Sequence, residues 1–380
     1  MHTLARYRHR IARRPSTVIV QGDTLCDLNC FYCYLPHRRR RTPMPVPVSE
    51  AVARSIAEFT DTTSPRPVEV VWHAGEPLAV GRTRLAELLA PFEPLRQAGL
   101  VEHSIQTNAV MITPAWCDFF TEYGFRIGVS IDGPAALNRH RVDRSGRPAF
   151  DRIMKGIGRL REHEVRFSAI SVVSAESIGA PESLLDFMAD LGCRSVGLNV
   201  EEREGVNTDR AVPTVEQAHE FWRRTIAWSR AHPGLTVREV DRLGAYLRAV
   251  RYGRHADWDR TLIDPIPTVA SNGDVVLLSP ELAGITDPAY EDFRAGNVLE
   301  QSIGSMLDRA HHLRYVREFV TGLDKCEATC QFFGFCRGAQ AGNRYFENGR
   351  LDTTETNHCR VSRQALVTAL SDTVREEQAA

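Results

Sequence analysis

The stretch that decides the fold is Cys26-Asp27-Leu28-Asn29-Cys30-Phe31-Tyr32-Cys33, in which three cysteines follow one another at Cys-x3-Cys-x2-Cys spacing. Three thiolates at this spacing can bind three irons of one [4Fe–4S] cluster, which leaves the fourth iron free to chelate a small molecule. A structural zinc usually needs a fourth protein ligand close by, and none follows here. A thioredoxin-like redox pair needs only two of the three cysteines. The stretch therefore predicts an iron–sulfur cluster with one open iron.

The chain around this stretch alternates between strand and helix patterns from residue 15 to about residue 235. Short β-branched or aromatic segments bounded by turn residues predict strands at Thr17–Gln21, Val68–Trp72, Val101–Gln106, Arg126–Ile131, Arg166–Val173 and Ser195–Val200. Amphipathic segments predict helices at Ser49–Thr60, Arg84–Gln97, Pro114–Tyr123, Phe150–His163 and Pro181–Leu191. Six such units make an α/β fold with a parallel sheet, although periodicity alone does not separate an open sheet from a partial barrel.

The composition is that of an ordinary globular chain. Its 380 residues are 43% hydrophobic and 25% charged, with a formal net charge of −1. The near-neutral charge gives no field that attracts nucleic acid, and no run reaches the roughly 18 apolar residues of a membrane span. Nine cysteines, most of them in two groups, fit metal binding in a reducing compartment better than disulfides. We therefore expect a cytoplasmic protein that binds metal and neither nucleic acid nor membrane.

A different pattern begins after about residue 235, where the alternation stops. Asp264-Pro265-Ile266-Pro267 marks a break, and the segment 269–278 predicts a hairpin with an Asn272-Gly273 turn. A second cysteine group follows, made of Cys326, Cys330, Cys336 and Cys359. Four thiolates are enough for one closed [4Fe–4S] cluster or for one structural zinc. We predict two domains, 1–235 and 236–380.

The first cysteine motif, with the aromatic Tyr32 before its third cysteine, resembles that of the radical S-adenosylmethionine (SAM) superfamily. The resemblance implies a partial (β/α)6 barrel, in which Cys26, Cys30 and Cys33 hold the cluster and the open iron binds SAM. In that family an electron from the cluster cleaves SAM to methionine and a 5′-deoxyadenosyl radical. A flavodoxin- or ferredoxin-like reductant is implied as the electron source.

Residues at the strand ends complete the SAM site that the resemblance implies. His73-Ala74-Gly75-Glu76-Pro77 resembles the Gly-Gly-Glu-Pro motif of the superfamily, with Ala74 in place of its first glycine, and assigns Glu76 to the SAM amino group. Ser130 and Arg141 match the family positions that hold the SAM carboxylate, although Arg141 also fits an exposed arginine-rich loop. The predicted cofactor contacts are Tyr32, Ala74, Gly75, Glu76, Asn108, Ser130, Asp132, Arg141 and Asn199, the last of which can reach either the adenosyl group or the substrate.

The later part of the chain resembles the SPASM extension of peptide-modifying radical SAM enzymes. The likeness rests on Cys336-Arg337-Gly338-Ala339 and on the segment 343–349. A full extension carries seven or more cysteines and two auxiliary clusters, but Leu278 and Ser279 stand near Gly273, where the family places cysteine for its first cluster. The resemblance therefore implies a truncated SPASM extension with one auxiliary [4Fe–4S] cluster on Cys326, Cys330, Cys336 and Cys359.

The segments 196–202 and 345–359 look like those of the cyclophane-forming SPASM maturases, which act on ribosomal (RiPP) precursor peptides of the glycine-rich-repeat type. The implied reaction removes a hydrogen from the β-carbon of one peptide residue and joins that carbon to the aromatic ring of a residue two positions earlier. Rearomatising the ring releases one proton and one electron. The auxiliary cluster is suited to accept the electron, and Glu201, Glu202 and Asp264 are candidates for the base.

Other functions stay open at this point. Another SPASM reaction is possible, either oxidation of a Cys or Ser of a sulfatase or formation of a thioether to an α-carbon, although the missing first auxiliary cluster argues against the sulfatase. A non-catalytic metal-binding or iron-sensing protein is the alternative of a different class. The run His37-Arg38-Arg39-Arg40-Arg41 fits a solvated loop, or else a docking site for an acidic reductant or a precursor peptide.

Overall fold

The computed structural model describes residues 3–60 and 66–379. Its strands are β1 Thr17–Val20, β2 Val68–Trp72, β3 Val101–Thr107, β4 Arg126–Ser130, β5 Phe167–Val173, β6 Ser195–Val200, β7 Thr236–Val237, β8 Thr268–Val269, β9 Asp274–Val276 and β10 Gly296–Asn297. Within the described residues they form one ten-stranded sheet of order β10-β9-β8-β1-β2-β3-β4-β5-β6-β7. Strands β1 to β7 pair in parallel, as do β1 and β8, whereas β9 is antiparallel to both β8 and β10.

Helices follow the parallel strands along the chain and build most of its later part. They are α1 Thr3–Arg10, α2 Val46–Phe59, α3 Arg82–Leu89, α4 Glu93–Gln97, α5 Pro114–Glu122, α6 Phe150–Glu162, α7 Pro181–Leu191, α8 Val215–Ala231, α9 Arg238–Arg251, α10 His255–Asp259, α11 Ile303–Arg309, α12 Arg314–Thr329, α13 Phe333–Cys336, α14 Ala341–Asn348 and α15 Ala365–Ala379. Apolar strand residues such as Val70 and Val129 are fully buried against helix residues such as Val52 and Leu184. Each parallel strand therefore ends at the same edge of the sheet.

The predicted alternation of six strands with helices is confirmed, and so is the hairpin formed by β8 and β9. The prediction of one continuous helix over Arg84–Gln97 is wrong. The structure has α3, a 3-10 turn at Ala90–Phe92 and then α4. Pro91 and Pro94 interrupt the helix because proline lacks the N–H group and clashes with the preceding turn.

One sheet contains strands from both sides of residue 235. Strand β7 pairs with β6 at one edge, and β8 pairs with β1 at the other. Helix α1 also joins the later part of the chain, because Arg10 donates to Asp324 at 2.9 Å and pairs with Glu327. The division into domains at residue 235 therefore stays a prediction. Among the described helices, none combines the length and apolar character that crossing a bilayer requires.

Candidate active site

A cavity of about 420 Å³ opens at the carboxyl ends of the parallel strands. Residues in and after β1 to β5 line one part of it. Residues after β6 and from the later part of the chain, including Glu202, Glu281 and His358, line the other part, which we call the far wall. The structure brings most of the predicted site residues to this cavity, namely Cys26, Cys30, Tyr32, Cys33, Gly75, Glu76, Asn108, Ser130, Arg141, Asn199, Glu201 and Glu202. The carboxyl edge of a parallel sheet is where α/β folds place their ligands, so this cavity is the candidate active site.

The three cysteines of the first motif lie in the loop after β1. Burial raises the pKa of each thiol, that of Cys30 to about 12. Backbone N–H groups oppose this effect, because Leu28 donates to Cys26 and Leu35 donates to Cys33, and such bonds favour the thiolate. Asn108 adds a side-chain N–H group 3.9 Å from the Cys26 sulfur. Buried sulfurs surrounded by N–H donors fit the anionic ligands of an iron–sulfur cluster.

Gly75 holds this loop against the end of β2. Its φ is +59°, and a Cβ at this position would lie 2.4 Å from the Leu25 carbonyl oxygen. Glycine is therefore needed for close approach of the cysteine loop, in addition to any approach of a ligand. Ala74 is buried, has a φ of +84° and is next to the cavity-lining Gly75, so its contact with the cofactor stays a prediction.

Glu76 lies in the cavity wall with both carboxylate oxygens bonded. One oxygen accepts from the Thr107 hydroxyl at 2.7 Å and the Leu78 N–H at 3.1 Å, and the other accepts from the Asn108 N–H at 2.8 Å. Burial, followed by the nearby charge of Asp27, raises the pKa of Glu76 to about 7. A carboxyl held this firmly beside the cysteine loop can receive an ammonium group, which would restore its ionised form.

Asp132 does not line the cavity but bonds to two residues that do, Tyr32 and Arg141. Its carboxylate accepts from the Tyr32 hydroxyl at 2.5 Å, from the Arg141 guanidinium at 2.8 Å and from the Val172 N–H at 2.9 Å. These bonds engage both of its oxygens within the protein, and a direct contact of Asp132 with the cofactor stays a prediction. Arg141 is 5% exposed, so it does not belong to the exposed arginine-rich loop.

Arg141 lines the cavity and has an N–H group that no described residue uses. Its Nε atom is buried without a partner among the described residues, and its guanidinium lies 5.5 Å from the centre of the Tyr32 ring. Ser130 lines the same cavity and accepts from the Gln106 amide at 2.8 Å. A buried cation with a free N–H group next to a hydroxyl suits a carboxylate ligand.

Two adjacent carboxylates in the far wall, Glu201 and Glu202, have different partners. Glu201 is bonded to Arg210 at 2.6 Å and to Asn207, so its charge is already paired. Glu202 lies 2.9 Å from the Nδ1 atom of His358, and its second oxygen is buried without a partner among the described residues. Burial, followed by the charges of Glu281 and Glu347, raises the pKa of Glu202 well above its ordinary value. Glu202 is therefore the carboxylate of the two that is free to act.

Sequence reasoning missed three members of this wall: Glu204, Glu281 and His358. Burial raises the pKa of both carboxyls. The charge of Glu281 raises the pKa of Glu202, and the charges of Glu202 and Glu281 raise that of Glu204. Burial, followed by the charge of Arg363, lowers the pKa of His358 to about 3, which favours the neutral imidazole beside Glu202. The position of His358 directly before Cys359 was a usable signal, whereas nothing in the sequence brings Glu281 to the end of β6.

Of two further predicted site residues, Asn199 lies at the cavity and Asp264 does not. Asn199 lines the cavity, where its side-chain oxygen accepts from Arg238 at 2.7 Å. Asp264 instead accepts from the Ser16 N–H at 3.0 Å, immediately before β1 and at the opposite end of that strand from the cavity. This position corrects the candidacy of Asp264 as the base.

The second cysteine group surrounds a buried arginine. Arg344 is 1% exposed and donates to the Cys326 sulfur at 3.3 Å and to the Gly338 carbonyl at 3.0 Å. The charges of Cys326, Cys336 and Cys359 all act on Arg344, so the three thiols lie around it. A buried guanidinium needs a negative partner, and the thiolates of a bound cluster would provide one. The donor set therefore fits an iron–sulfur cluster held by Cys326, Cys330, Cys336 and Cys359.

The two cysteine groups are not arranged around single ions. In the described part of the chain, no three His, Cys, Asp or Glu side chains are already placed to hold one metal ion. The fit to clusters rests on the number of thiols, their burial and their N–H partners. Cysteines Cys117 and Cys193 are buried elsewhere and take no part in either group.

Comparison with known proteins identifies the family. The model of the radical SAM superfamily matches residues 24–188. An uncharacterized protein of Synechocystis sp. is 34% identical over 357 residues, which cover 90% of this chain and 88% of that protein. A serine-type anaerobic sulfatase-maturating enzyme of Bacteroides thetaiotaomicron is 28% identical over 188 residues, but the match covers only 48% of this chain and 45% of the enzyme.

Solved structures of similar fold extend over nearly the whole chain. The structure of anSMEcpe with bound AdoMet and Cp18Cys peptide superposes with a TM-score of 0.73, covering 96% of this chain and 99% of that one, at 16% identity. Streptococcus suis SuiB bound to the precursor peptide SuiA has a TM-score of 0.65 and covers 94% of this chain and 78% of SuiB, also at 16% identity. At these identities the likeness shows the fold, which includes the part after residue 235.

Proposed function

The chain belongs to the radical SAM superfamily, and from this premise we propose that it is a peptide maturase that forms a carbon–carbon crosslink in a ribosomally made precursor peptide. The proposed crosslink joins an aromatic ring to a β-carbon and so forms a cyclophane. The observation that carries the proposal is the cavity. It is lined by the predicted SAM residues and, in its far wall, by residues from the part of the chain that holds the second cysteine group. A peptide in this cavity would lie between the two proposed clusters.

The chain's own residues have distinct roles in this proposal. When bound, the cluster held by Cys26, Cys30 and Cys33, together with SAM, supplies a 5′-deoxyadenosyl radical. Glu76 binds the ammonium group of SAM. Arg141 and Ser130 bind its carboxylate, and Asp132 fixes the orientation of Arg141.

Two further roles concern the substrate. Asn199 and Tyr32 line the cavity where the adenosyl group or the peptide would lie. Glu202 accepts the proton that the aromatic ring loses, because one of its oxygens is buried without a partner among the described residues. The ring also loses one electron, and a cluster on Cys326, Cys330, Cys336 and Cys359 would supply the acceptor.

The peptide substrate is supported by the fold and by the shape of the site. Both structural relatives named above were solved with peptide bound, and the cavity of this chain opens at the edge of a sheet with free ends. The crosslink in particular is supported by the segments 196–202 and 345–359, which look like those of the cyclophane-forming maturases. The reducing cytoplasm belongs to the same proposal, because all nine cysteines are free and a disulfide-forming compartment would oxidise them.

The experiment is co-expression with short peptides encoded next to the gene, followed by tandem mass spectrometry of the peptide. We expect loss of two hydrogen atoms and a fragmentation gap across three residues that begins at an aromatic residue. A variant in which Cys26, Cys30 and Cys33 are all alanine should leave the peptide unmodified. Anaerobically reconstituted protein that makes no 5′-deoxyadenosine with a strong reductant would contradict the proposal.

A second candidate is oxidation of a Cys or Ser in a sulfatase, which the matches to sulfatase-maturating enzymes favour. Those matches cover less than half of each enzyme, and at Leu278 and Ser279 this chain has no cysteine. Oxidation of Ser and crosslinking each remove two hydrogens, so mass alone does not separate them. A sulfatase peptide that is converted to an aldehyde, detected by reaction with a hydrazide, would favour the second candidate.

A further inference from the structure

The loop that holds the first three cysteines lies between two arginine-rich loops. The Arg38 carbonyl accepts from the Cys26 N–H at 2.8 Å on one side, and the Val142 carbonyl accepts from the Asn29 N–H at 2.8 Å on the other. The exposed arginines of the two flanking loops and of the first turn of α6 are Arg39, Arg40, Arg41, Arg139, Arg144, Arg147 and Arg152. We call these seven residues the arginine rim.

The arginine rim carries more positive than negative charge, although the formal net charge of the chain is −1. Four rim arginines have carboxylate partners, because Arg147 and Arg152 pair with Asp143, Arg41 with the buried Asp23 and Arg139 with Glu176. Asp27 is half-buried in the same loop. The side chains of Arg39 and Arg40 have no hydrogen bond or ion pair among the described residues. Their charges are therefore not needed to hold the loop and are available to a partner.

The cysteine loop lies between the arginine rim and the cavity, because Cys26 contacts both. The side chain of Cys26 lines the cavity, whereas its carbonyl oxygen accepts from Arg144 at 2.7 and 3.1 Å. Arg144 lines a shallow outer depression together with Leu25 and Asp27. A partner seated on Arg144 would thus be one peptide unit from a cluster ligand. Phe31, which is 53% exposed, adds an apolar contact in the same loop.

We propose that the arginine rim is the docking surface for an acidic one-electron carrier protein, which delivers the reducing electron to the cluster held by Cys26, Cys30 and Cys33. The charge argues for a carrier rather than for the precursor peptide. The cavity that would take the peptide has a mixed lining, with Arg141, Arg238 and Arg363 beside several glutamates, so the exposed surface with unpaired arginines lies outside it. The inference needs only the radical SAM chemistry, not the crosslink.

The first test is binding, measured by calorimetry between the reconstituted protein and oxidised flavodoxin, an acidic FMN carrier. The double variant Arg39→Glu/Arg40→Glu should weaken binding by about ten-fold or more, because two attractive charges become repulsive. The matched control is Arg254→Glu/Arg260→Glu, which reverses two exposed arginines that also have no side-chain partner among the described residues. Equal binding by the rim variant and the control variant would overturn the proposal.

The second test separates docking from chemistry. Formation of 5′-deoxyadenosine is measured with reduced flavodoxin and, separately, with dithionite, which needs no docking surface. The rim variant should raise the KM for flavodoxin by about ten-fold and leave the dithionite rate unchanged. In the wild type, added salt should slow only the flavodoxin reaction, which tests the proposal even if the variant does not fold. A raised KM for the precursor peptide with dithionite, or a flavodoxin rate insensitive to salt, would overturn it.

Discussion

The guanidinium of Arg344 lies 3.3 Å from the sulfur of Cys326 inside the second cysteine group, where the arginine is 1% exposed. Its other contacts are carbonyl oxygens of Gly338 and Leu351, which carry no net charge. Arginine is expensive to bury without a counter-charge, and thiolates bound to iron would supply it. The contact therefore links the stability of this part of the chain to the proposed auxiliary cluster.

Arg344→Met is expected to remove that cluster while leaving SAM cleavage intact. The variant keeps most of the side-chain volume but deprives the sulfurs of their cation, and it leaves two buried carbonyls without a donor. Anaerobically reconstituted protein should fall from about eight irons to about four per chain. The free energy of unfolding should fall by about 3 kcal/mol.

The control is Arg350→Met, which removes an exposed arginine paired with Asp352 and should change stability by less than about 1 kcal/mol. An Arg344→Met protein that retains about eight irons would show that the auxiliary cluster does not depend on Arg344, whereas wild-type protein with only about four irons would contradict the assignment of the second cysteine group. A protein that loses SAM cleavage as well would show that the substitution acts on the whole fold.

Asp132→Asn should weaken SAM binding, although Asp132 does not line the cavity. The substitution removes the negative partner of Arg141 and one acceptor of the Tyr32 hydroxyl. A buried arginine that loses its carboxylate costs about 3 to 5 kcal/mol, so both stability and SAM affinity are expected to fall. Equilibrium dialysis with reconstituted protein would measure the affinity, and Asp190→Asn, an exposed change, is the control. Unchanged SAM affinity would show that Arg141 keeps its orientation without Asp132.

Local patterns predicted the fold and the first cysteine loop because the relevant residues are neighbours in sequence. Strand periodicity and the Cys-x3-Cys-x2-Cys spacing do not depend on distant contacts. The interruption of the predicted helix Arg84–Gln97 could also have been predicted, since the sequence has Pro91 and Pro94 within it. These features needed no tertiary information.

The roles of Asp132 and Glu281 could not be predicted in this way. Asp132 bonds to Tyr32, a hundred positions earlier, and Glu281 joins the end of β6 from the later part of the chain. Glu201 and Glu202 are adjacent, but successive side chains at a strand end point to opposite sides. One is paired with Arg210 and the other faces His358, a difference that only packing decides.

Glu202→Gln is expected to block the crosslink but not the cleavage of SAM. Among the described residues, one oxygen of Glu202 has no partner, whereas the charge of Glu201 is paired with Arg210. With Glu202→Gln, 5′-deoxyadenosine should form at the wild-type rate while crosslinked peptide falls by about 100-fold, the usual contribution of a positioned base. Because burial raises the pKa of Glu202, wild-type crosslinking should rise with pH as more of the carboxyl ionises.

The comparison for Glu202 is Glu201→Gln, which should lower stability through the loss of the Arg210 pair and reduce both products together. If Glu202→Gln forms the crosslink at the wild-type rate, the base is another group. If both variants lose the two products in parallel, the wall is structural rather than catalytic.

Glu76 predicts a pH dependence of SAM binding whose sign follows from its raised pKa. Its pKa is about 7 in the folded protein against an ordinary value of 4.5, so between these values the folded chain binds one more proton than the unfolded chain. The free energy of unfolding of the SAM-free protein should therefore fall as pH rises from 4.5 to 7. The ammonium group of SAM favours the ionised carboxylate, so binding releases a proton below pH 7. Affinity should rise by about ten-fold between pH 6 and pH 8.

Calorimetry in two buffers of different ionisation enthalpy would measure the proton released when SAM binds at pH 6.5. Glu76→Gln should lower the affinity and abolish both the proton release and the pH dependence, whereas Glu58→Gln, at an exposed position, should change neither. Binding by the wild type that is equally tight at pH 6 and pH 8 would mean that Glu76 does not face the SAM ammonium group. Proton release that persists in Glu76→Gln would assign the titration to another residue of the cavity.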